Sequence, residues 1–202
     1  MRVKMSLRWF LVSMFWVLLS LTSLILVSCG GGGGGGDSKD SKQWTYPSDL
    51  SDYISFDGWS AILPRVAMGN NGDAIIVWQQ GGGNYHETFK SEYRAGNWTN
   101  PVNLNDHINP LDGAINPLVA MDDNGEAVIV WTQLDENYNA QVFKSEYRNG
   151  SWTHPSGLSD NISPDGSFAD FPQVAVDKNG NAIIVWYQNA GSSFHIFKSE
   201  YR

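Results

Sequence analysis

The chain has 202 residues, 13 Lys and Arg against 21 Asp and Glu, and a formal net charge of −8. Three of the basic residues (Arg2, Lys4 and Arg8) lie at the N-terminus, so the remainder carries 10 bases against 21 acids, a net −11. That balance argues against nucleic acid or an anionic lipid surface as a partner of the folded part, and the length leaves room for one domain of ordinary size.

The first element is an export signal. Arg2, Lys4 and Arg8 precede an uncharged apolar run from Trp9 to Val27, in the basic, apolar, small-residue layout of a targeting segment. A run of this length could also span a bilayer as a helix. The residues that follow, "LVSC" from Leu26 to Cys29, resemble the lipobox of bacterial lipoproteins. That resemblance implies a signal peptide over 1–28, cleavage before Cys29, and lipidation of its thiol. Cys29 is the single cysteine of the chain. Each buried acyl methylene contributes about 0.8 kcal/mol, so several chains would make the anchor effectively permanent.

Seven glycines, Gly30 to Gly36, and "DSKDSKQ" follow. They bury no apolar surface and read as a flexible tether, residues 29–43 including the cysteine, spanning roughly 20 Å as a coil. Gly30 after the cysteine, in place of an acid, resembles lipoproteins sorted to the outer membrane. The expected location is the bacterial cell envelope.

Residues 44–202 are three copies of one unit, 44–97, 98–151 and 152–202. Trp44, Trp98 and Trp152 are 54 residues apart, and "FKSEYR" recurs at 89–94, 143–148 and 197–202 with the same period. Such a period signals repeat architecture. Each unit reads as four short strands. The first is the Pro-x-Val-Ala segment at Pro64, Pro117 and Pro172, where proline suits a strand start or an edge. The second is "AIIVW" or "AVIVW", ending at Trp78, Trp131 and Trp186, an unbroken apolar run expected to be buried on both faces. Asn-Gly pairs at 71–72, 124–125 and 179–180 make the turn between them. The third strand holds FKSEYR, with Phe, Ser and Tyr on one face and Lys, Glu and Arg on the other. The fourth begins at Trp44, "NWT" and "SWT".

Four antiparallel strands per unit and no helical period make the expected fold all-β, with each repeat one blade of a β-propeller. "PQVAVDKNGNAIIVW" resembles the tandem repeats of bacterial extracytoplasmic propeller proteins, loosely sialidase-like and NHL-like. The spacings of Asp177, Gly180 and Trp186 depart from a sialidase Asp-box, and the first unit has Gly69 where the others have Asp122 and Asp177. Closed propellers typically need four to eight blades. Three remedies stand open: a homodimer completing a six-bladed ring, a fragment of a longer array, or a β-trefoil. The Trp-x-Gln triplets are a trefoil signature only in reverse.

Catalysis needs unlike groups brought together, whereas this sequence repeats like groups. Arg94, Arg148 and Arg202 resemble the arginine triad of sialidases by type, but their repeat positions put them on separate blades, in charge ladders. His86, His107, His154 and His195 form no ligand motif, and the acidic turns lack the spaced ligands of a calcium loop. No metal or cofactor is expected. The recurrent tryptophans are expected to pack between units. Trp59 is different, since its counterparts, counted from the preceding Asp-Gly, are Ala114 and Ser167.

Loop lengths vary in two places. Trp78 to Phe89 is 11 residues, Trp131 to Phe143 is 12 and Trp186 to Phe197 is 11, while Trp to Pro distances across the repeat start are 20, 19 and 20. Both connections emerge on one side of a four-stranded blade. Loops on a rigid scaffold carry binding, so this side is the expected contact surface, with Trp59, Tyr85, Tyr138 and Phe194 as candidate ligand-binding residues. The expected function is a lipid-anchored binding or scaffolding module for a protein or carbohydrate. The alternatives are a sialidase-like glycan-processing enzyme and a repeat fragment without separate activity.

Overall fold

The computed structural model describes residues 42–82 and 85–202, with Tyr85 described by its backbone alone. The signal segment, Cys29 and the tether up to residue 41 lie outside the described residues. The chain divides into two units, 1–45 and 46–202. In the first, Trp44 is exposed and forms no strand. This corrects the expected fourth-type strand there, and the reason is that a three-residue strand exists only through the partner that it pairs with.

The second unit is all-β. Its strands are β1 (Ser60–Met68), β2 (Ala74–Gly82), β3 (Tyr85–Arg94), β4 (Asn97–Thr99), β5 (Ala114–Met121), β6 (Ala127–Leu134), β7 (Ala140–Arg148), β8 (Ser151–Thr153), β9 (Ala169–Val176), β10 (Ala182–Ala190) and β11 (Ser193–Tyr201). They form three separate antiparallel sheets in sequential order, β1-β2-β3-β4, β5-β6-β7-β8 and β9-β10-β11. These are successive propeller-type blades, not the shared barrel of a trefoil. The third has three strands among the described residues, its last strand running through FKSEYR as far as Tyr201.

The first strand of each blade starts three or four residues before its proline. In β1 and β5 the register shifts between Ile62 and Arg65 and between Ile115 and Leu118. The residue before each proline, Leu63, Asn116 or Phe171, has φ of 55°, 55° or 53°. Each proline thus occupies a β-bulge, where its missing N–H breaks no ladder bond, on the edge strand of its sheet; of the two places that the sequence allowed, strand start or edge, the structure has the edge.

The sheets pack face to face, and alternation decides which side chain serves which neighbour. In β2, Ala74, Ile76 and Trp78 share one face with Phe89, Ser91 and Tyr93 of β3, while Ile75 and Val77 share the other with Lys90, Glu92 and Arg94. Ile75 and Val77, fully buried, meet Ile129, Trp131 and Phe143 of the second blade, with Val119 and Met121 packed alongside. One repeat later Val128 and Val130 meet Ile184 and Trp186 of the third blade, with Val174 and Val176 alongside. β6 is therefore buried on both faces as expected, whereas β10 alternates between buried and half-buried.

The charged face of FKSEYR lies in these seams. Arg94 stacks over the Tyr147 ring at 3.8 Å and Arg148 over Tyr201 at 4.6 Å. Lys90 lies 4.8 Å over Trp152, whose indole N–H donates to Glu92 at 2.8 Å. Burial alone would raise the Glu92 carboxyl, but hydrogen bonds from Lys90, Arg94 and Trp152 hold it below the usual range. A backbone stitch accompanies them: the Ile108 N–H donates to the Thr88 carbonyl at 2.9 Å, and the Ile162 N–H to the Val142 carbonyl at 2.7 Å.

On the turn side, Asp122 and Asp177 each accept two backbone N–H bonds within their hairpins, at 2.8 to 2.9 Å. They are turn caps. Gly69 replaces them in the first blade because its turn touches the next: a Cβ there would lie 2.6 Å from the Asp122 carbonyl.

Candidate functional site

The β2–β3 end and the loop arriving at β1 lie on one side of the blade, because Ser60 pairs with Gly81. The same holds in the other blades, where Ala114 pairs with Gln133 and Ala169 with Gln188. All length variation in the repeat therefore falls on one face, as the loop arithmetic required.

The Trp-x-Gln triplets position these loops. Each buried indole N–H donates to the glutamine two residues on, Trp78 to Gln80, Trp131 to Gln133 and Trp186 to Gln188, at 3.0 to 3.1 Å. Each glutamine amide then donates to the incoming loop: Gln80 to the Phe56 and Trp59 carbonyls, at 2.7 and 3.1 Å, Gln133 to that of Leu111 and Gln188 to that of Pro164, both at 2.5 Å. A buried polar pair whose every group is satisfied fixes a single loop position. The recurring spacing was visible in the sequence; its meaning as a latch was not.

In the first blade the latched loop presents Phe56 edge-on to Phe89, centroids 5.0 Å apart, and Trp59 over Gly82. A Cβ on Gly82 would fall 1.4 Å from the Trp59 ring, so only glycine admits the indole. Trp59 remains 48% exposed and, with Tyr53, Phe56, Asp57, Val102 and Asn105, lines an open groove of about 760 Å³. The Tyr53 hydroxyl donates to Asp57, whose negative charge holds the phenol proton and raises its pKa above the usual tyrosine value. Pairing also revises the repeat alignment. Ala61, Ala114 and Ala169 sit opposite Gln80, Gln133 and Gln188, so the counterparts of Trp59 are Asp112 and Ser167. Ala114 is displaced by the shorter second loop.

Tyr138, with φ of 61° and 84% exposed, tops the β6–β7 hairpin. It lines a second groove with Leu111, Ile115 and Leu134. Phe194 joins Phe168 and Tyr187 in an aromatic cluster on the third blade, with centroids 6.2 and 5.0 Å away. The Tyr85 backbone opens β3; its side chain lies outside the described residues. Trp59, Tyr138 and Phe194 thus line three separate surfaces, one per blade, and do not converge on one pocket.

Beneath this face lies a group the sequence did not reveal. Glu87, buried, accepts from the Asn109 amide, which also donates to the Leu111 carbonyl at 2.7 Å. Burial pushes its carboxyl up to about 7, the Asn109 bond opposes this, and the neighbouring Asp112 adds to it. The register gives Gln141 and His195 as its counterparts. Departure from the repeat was the one available signal. Arg94, Arg148 and Arg202 do not meet: the first two are held in successive seams, and Arg202 pairs with Glu200 at 3.2 Å.

No family model matches the chain, and no curated protein matches its sequence. Among solved structures it is similar to an endo-arabinase from Bacteroides thetaiotaomicron, with 12% identity and a TM-score of 0.46, over 77% of this chain and 61% of that one. It is also similar to the polysaccharide lyase Uly1, with 13% identity and a TM-score of 0.45, over 69% of this chain and 38% of that one. A glycosyl hydrolase from Bacteroides ovatus gives 14% identity and a TM-score of 0.41, over 71% of this chain and 50% of that one. The chain spans about three-fifths of the arabinase and two-fifths of the lyase.

Proposed function

We propose that this protein is a lipid-anchored cell-envelope binding module whose loop-side face takes a carbohydrate, with the Trp59 groove as the principal contact. The observation that carries the reading is the half-exposed Trp59 indole, held over Gly82 by the Gln80 latch and flanked by Asp57 and Asn105. An immobilised aromatic face beside carboxylate and amide acceptors matches the apolar faces and hydroxyls of a sugar ring.

A binding role is favoured over hydrolysis by the carboxylates. Glycosidase pairs stand about 5 Å or more apart, flanking the scissile bond. Glu87 is instead buried beneath the surface, its carboxylate bonded to the Asn109 amide. Arg94 and Arg148 are held in successive seams and Arg202 pairs with Glu200, so the three repeat arginines are not gathered to grip a carboxylate substrate.

The test is calorimetric titration of the protein with a panel of soluble envelope and plant oligosaccharides. Binding that falls at least tenfold in Trp59→Ala, with no product released from any bound glycan, supports the reading. Unchanged binding in Trp59→Ala, or turnover of a chromogenic glycoside, overturns it. For the anchor, Cys29→Ser is expected to move the protein from the membrane to the soluble fraction.

A further inference from the structure

The two internal seams define what each blade face requires of its neighbour, and the two terminal faces carry the unmatched halves of the same set. On the third blade, the side chains of Lys198 and Arg202 are each 63% exposed, against 18% and 20% for Lys90 and Arg94 in the first seam. Ile196 is 78% exposed, although its counterparts Thr88 and Val142 are fully buried. On the opposite face of the first blade, Val66 and Met68 are each 69% exposed, where Val119 and Met121 pack into the seam. Trp98 is 47% exposed, where Trp152 is bonded to Glu92. Among the described residues no guanidinium lies over Tyr93, as Arg94 and Arg148 lie over its counterparts.

We infer that the occupant of the third blade's open face is the first blade of a second copy of this chain, and that two copies close reciprocally into a six-bladed ring. The match is specific at each position. Arg202 meets Tyr93 as Arg94 meets Tyr147. Glu200 and Lys198 receive the Trp98 indole as Glu92 and Lys90 receive Trp152. The backbone of Ile196 takes Ile54 and Ser55, the counterparts of Ile108 and Asn109, whose N–H and side-chain oxygen close on Thr88 at 2.9 and 2.8 Å. Ile183 and Val185, half-buried in β10, cover Val66 and Met68. Six blades fall within the range in which propellers close, and each copy contributes one of each terminal face, so two identical seams complete the assembly. This inference is independent of the carbohydrate reading.

Sedimentation equilibrium of the full chain in density-matched detergent tests it. The expected mass is twice that of the single chain, 22.4 kDa for the full sequence. Ile196→Glu and Val66→Glu, at exposed positions on opposite terminal faces, are each expected to give the single-chain mass with an unchanged circular dichroism spectrum. A wild-type protein of single-chain mass at every concentration, an open ladder of larger masses, or variants that keep the doubled mass would each overturn the inference.

Discussion

The Arg94 guanidinium stacks on the Tyr147 ring of the next blade while donating to Asp73 and Glu92 of its own, each at 2.9 Å. Its planar fork serves two carboxylates and an aromatic face at once, which an ammonium cannot do. Arg94→Lys is expected to destabilise the fold by about 1 kcal/mol. Arg94→Ala leaves the half-buried Asp73 without its cation and Glu92 with Lys90 alone, and is expected to cost about 3 kcal/mol. Urea denaturation of both variants checks the ordering; equal effects would mean that the stack contributes nothing beyond charge.

The Trp131–Gln133 latch gives a second test. Gln133→Ala strands the fully buried Trp131 indole N–H, while the Leu111 carbonyl keeps its bond from Asn109. The expected loss is about 1–3 kcal/mol, read from the urea midpoint. A loss below about 0.5 kcal/mol would show that water replaces the glutamine freely.

Glu87 makes stability depend on pH in one direction. Its carboxyl titrates near 4.5 when unfolded and near 7 when folded, so the folded state binds the proton more tightly. Stability is retained below about 4.5 and falls as the pH rises toward 7 and the buried group must ionise. Glu87→Gln, the residue found at position 141, is expected to abolish this fall and to raise the melting temperature at pH 8 more than at pH 5.

His154 acts in the opposite sense. Burial, aided by Lys90 and opposed by Glu92, lowers its ring to about 4 from the ordinary 6.5. The folded state therefore holds a neutral imidazole, stacked on Trp152 with its Nδ1 2.8 Å from the Ser145 hydroxyl. Stability is lost as the pH falls from about 6.5 toward 4, because only the unfolded chain takes up the proton. Thermal melts of His154→Asn between pH 4 and 7 are expected to flatten this acid limb while leaving the Glu87 limb intact.

Gly69→Asp restores the residue of the other two repeats and is nonetheless expected to destabilise, by about 1–3 kcal/mol. The new Cβ collides with the Asp122 carbonyl, a backbone atom that cannot rotate away. Gly69→Ala should show most of the same loss by calorimetry, since the clash begins at Cβ.

Much of the fold was legible because it is periodic: three repetitions exposed the strands, the Asn-Gly turns and the side on which loop lengths drift. Strand starts were not, since bulges at Pro64, Pro117 and Pro172 are written in backbone angles and leave the apolar pattern unchanged. Trp59 was found as a departure from the repeat, although its counterpart was misaligned by the shorter second loop. Glu87 escaped because its character comes from burial by Asn109 and Asp112, more than 20 residues away, which no local pattern reports. Tyr138 and Phe194 were legible as loop aromatics, while their separation into different surfaces depends on how blades fan apart.

FKSEYR is a double-sided connector. Its Phe, Ser and Tyr answer the blade before, and its Lys, Glu and Arg answer the blade after, so a single strand carries the plug for one joint and the socket for the next. A duplicated 54-residue unit inserted anywhere in the series would arrive with both joints already matched. Lengthening such an array calls for copying, and no new interface has to be invented.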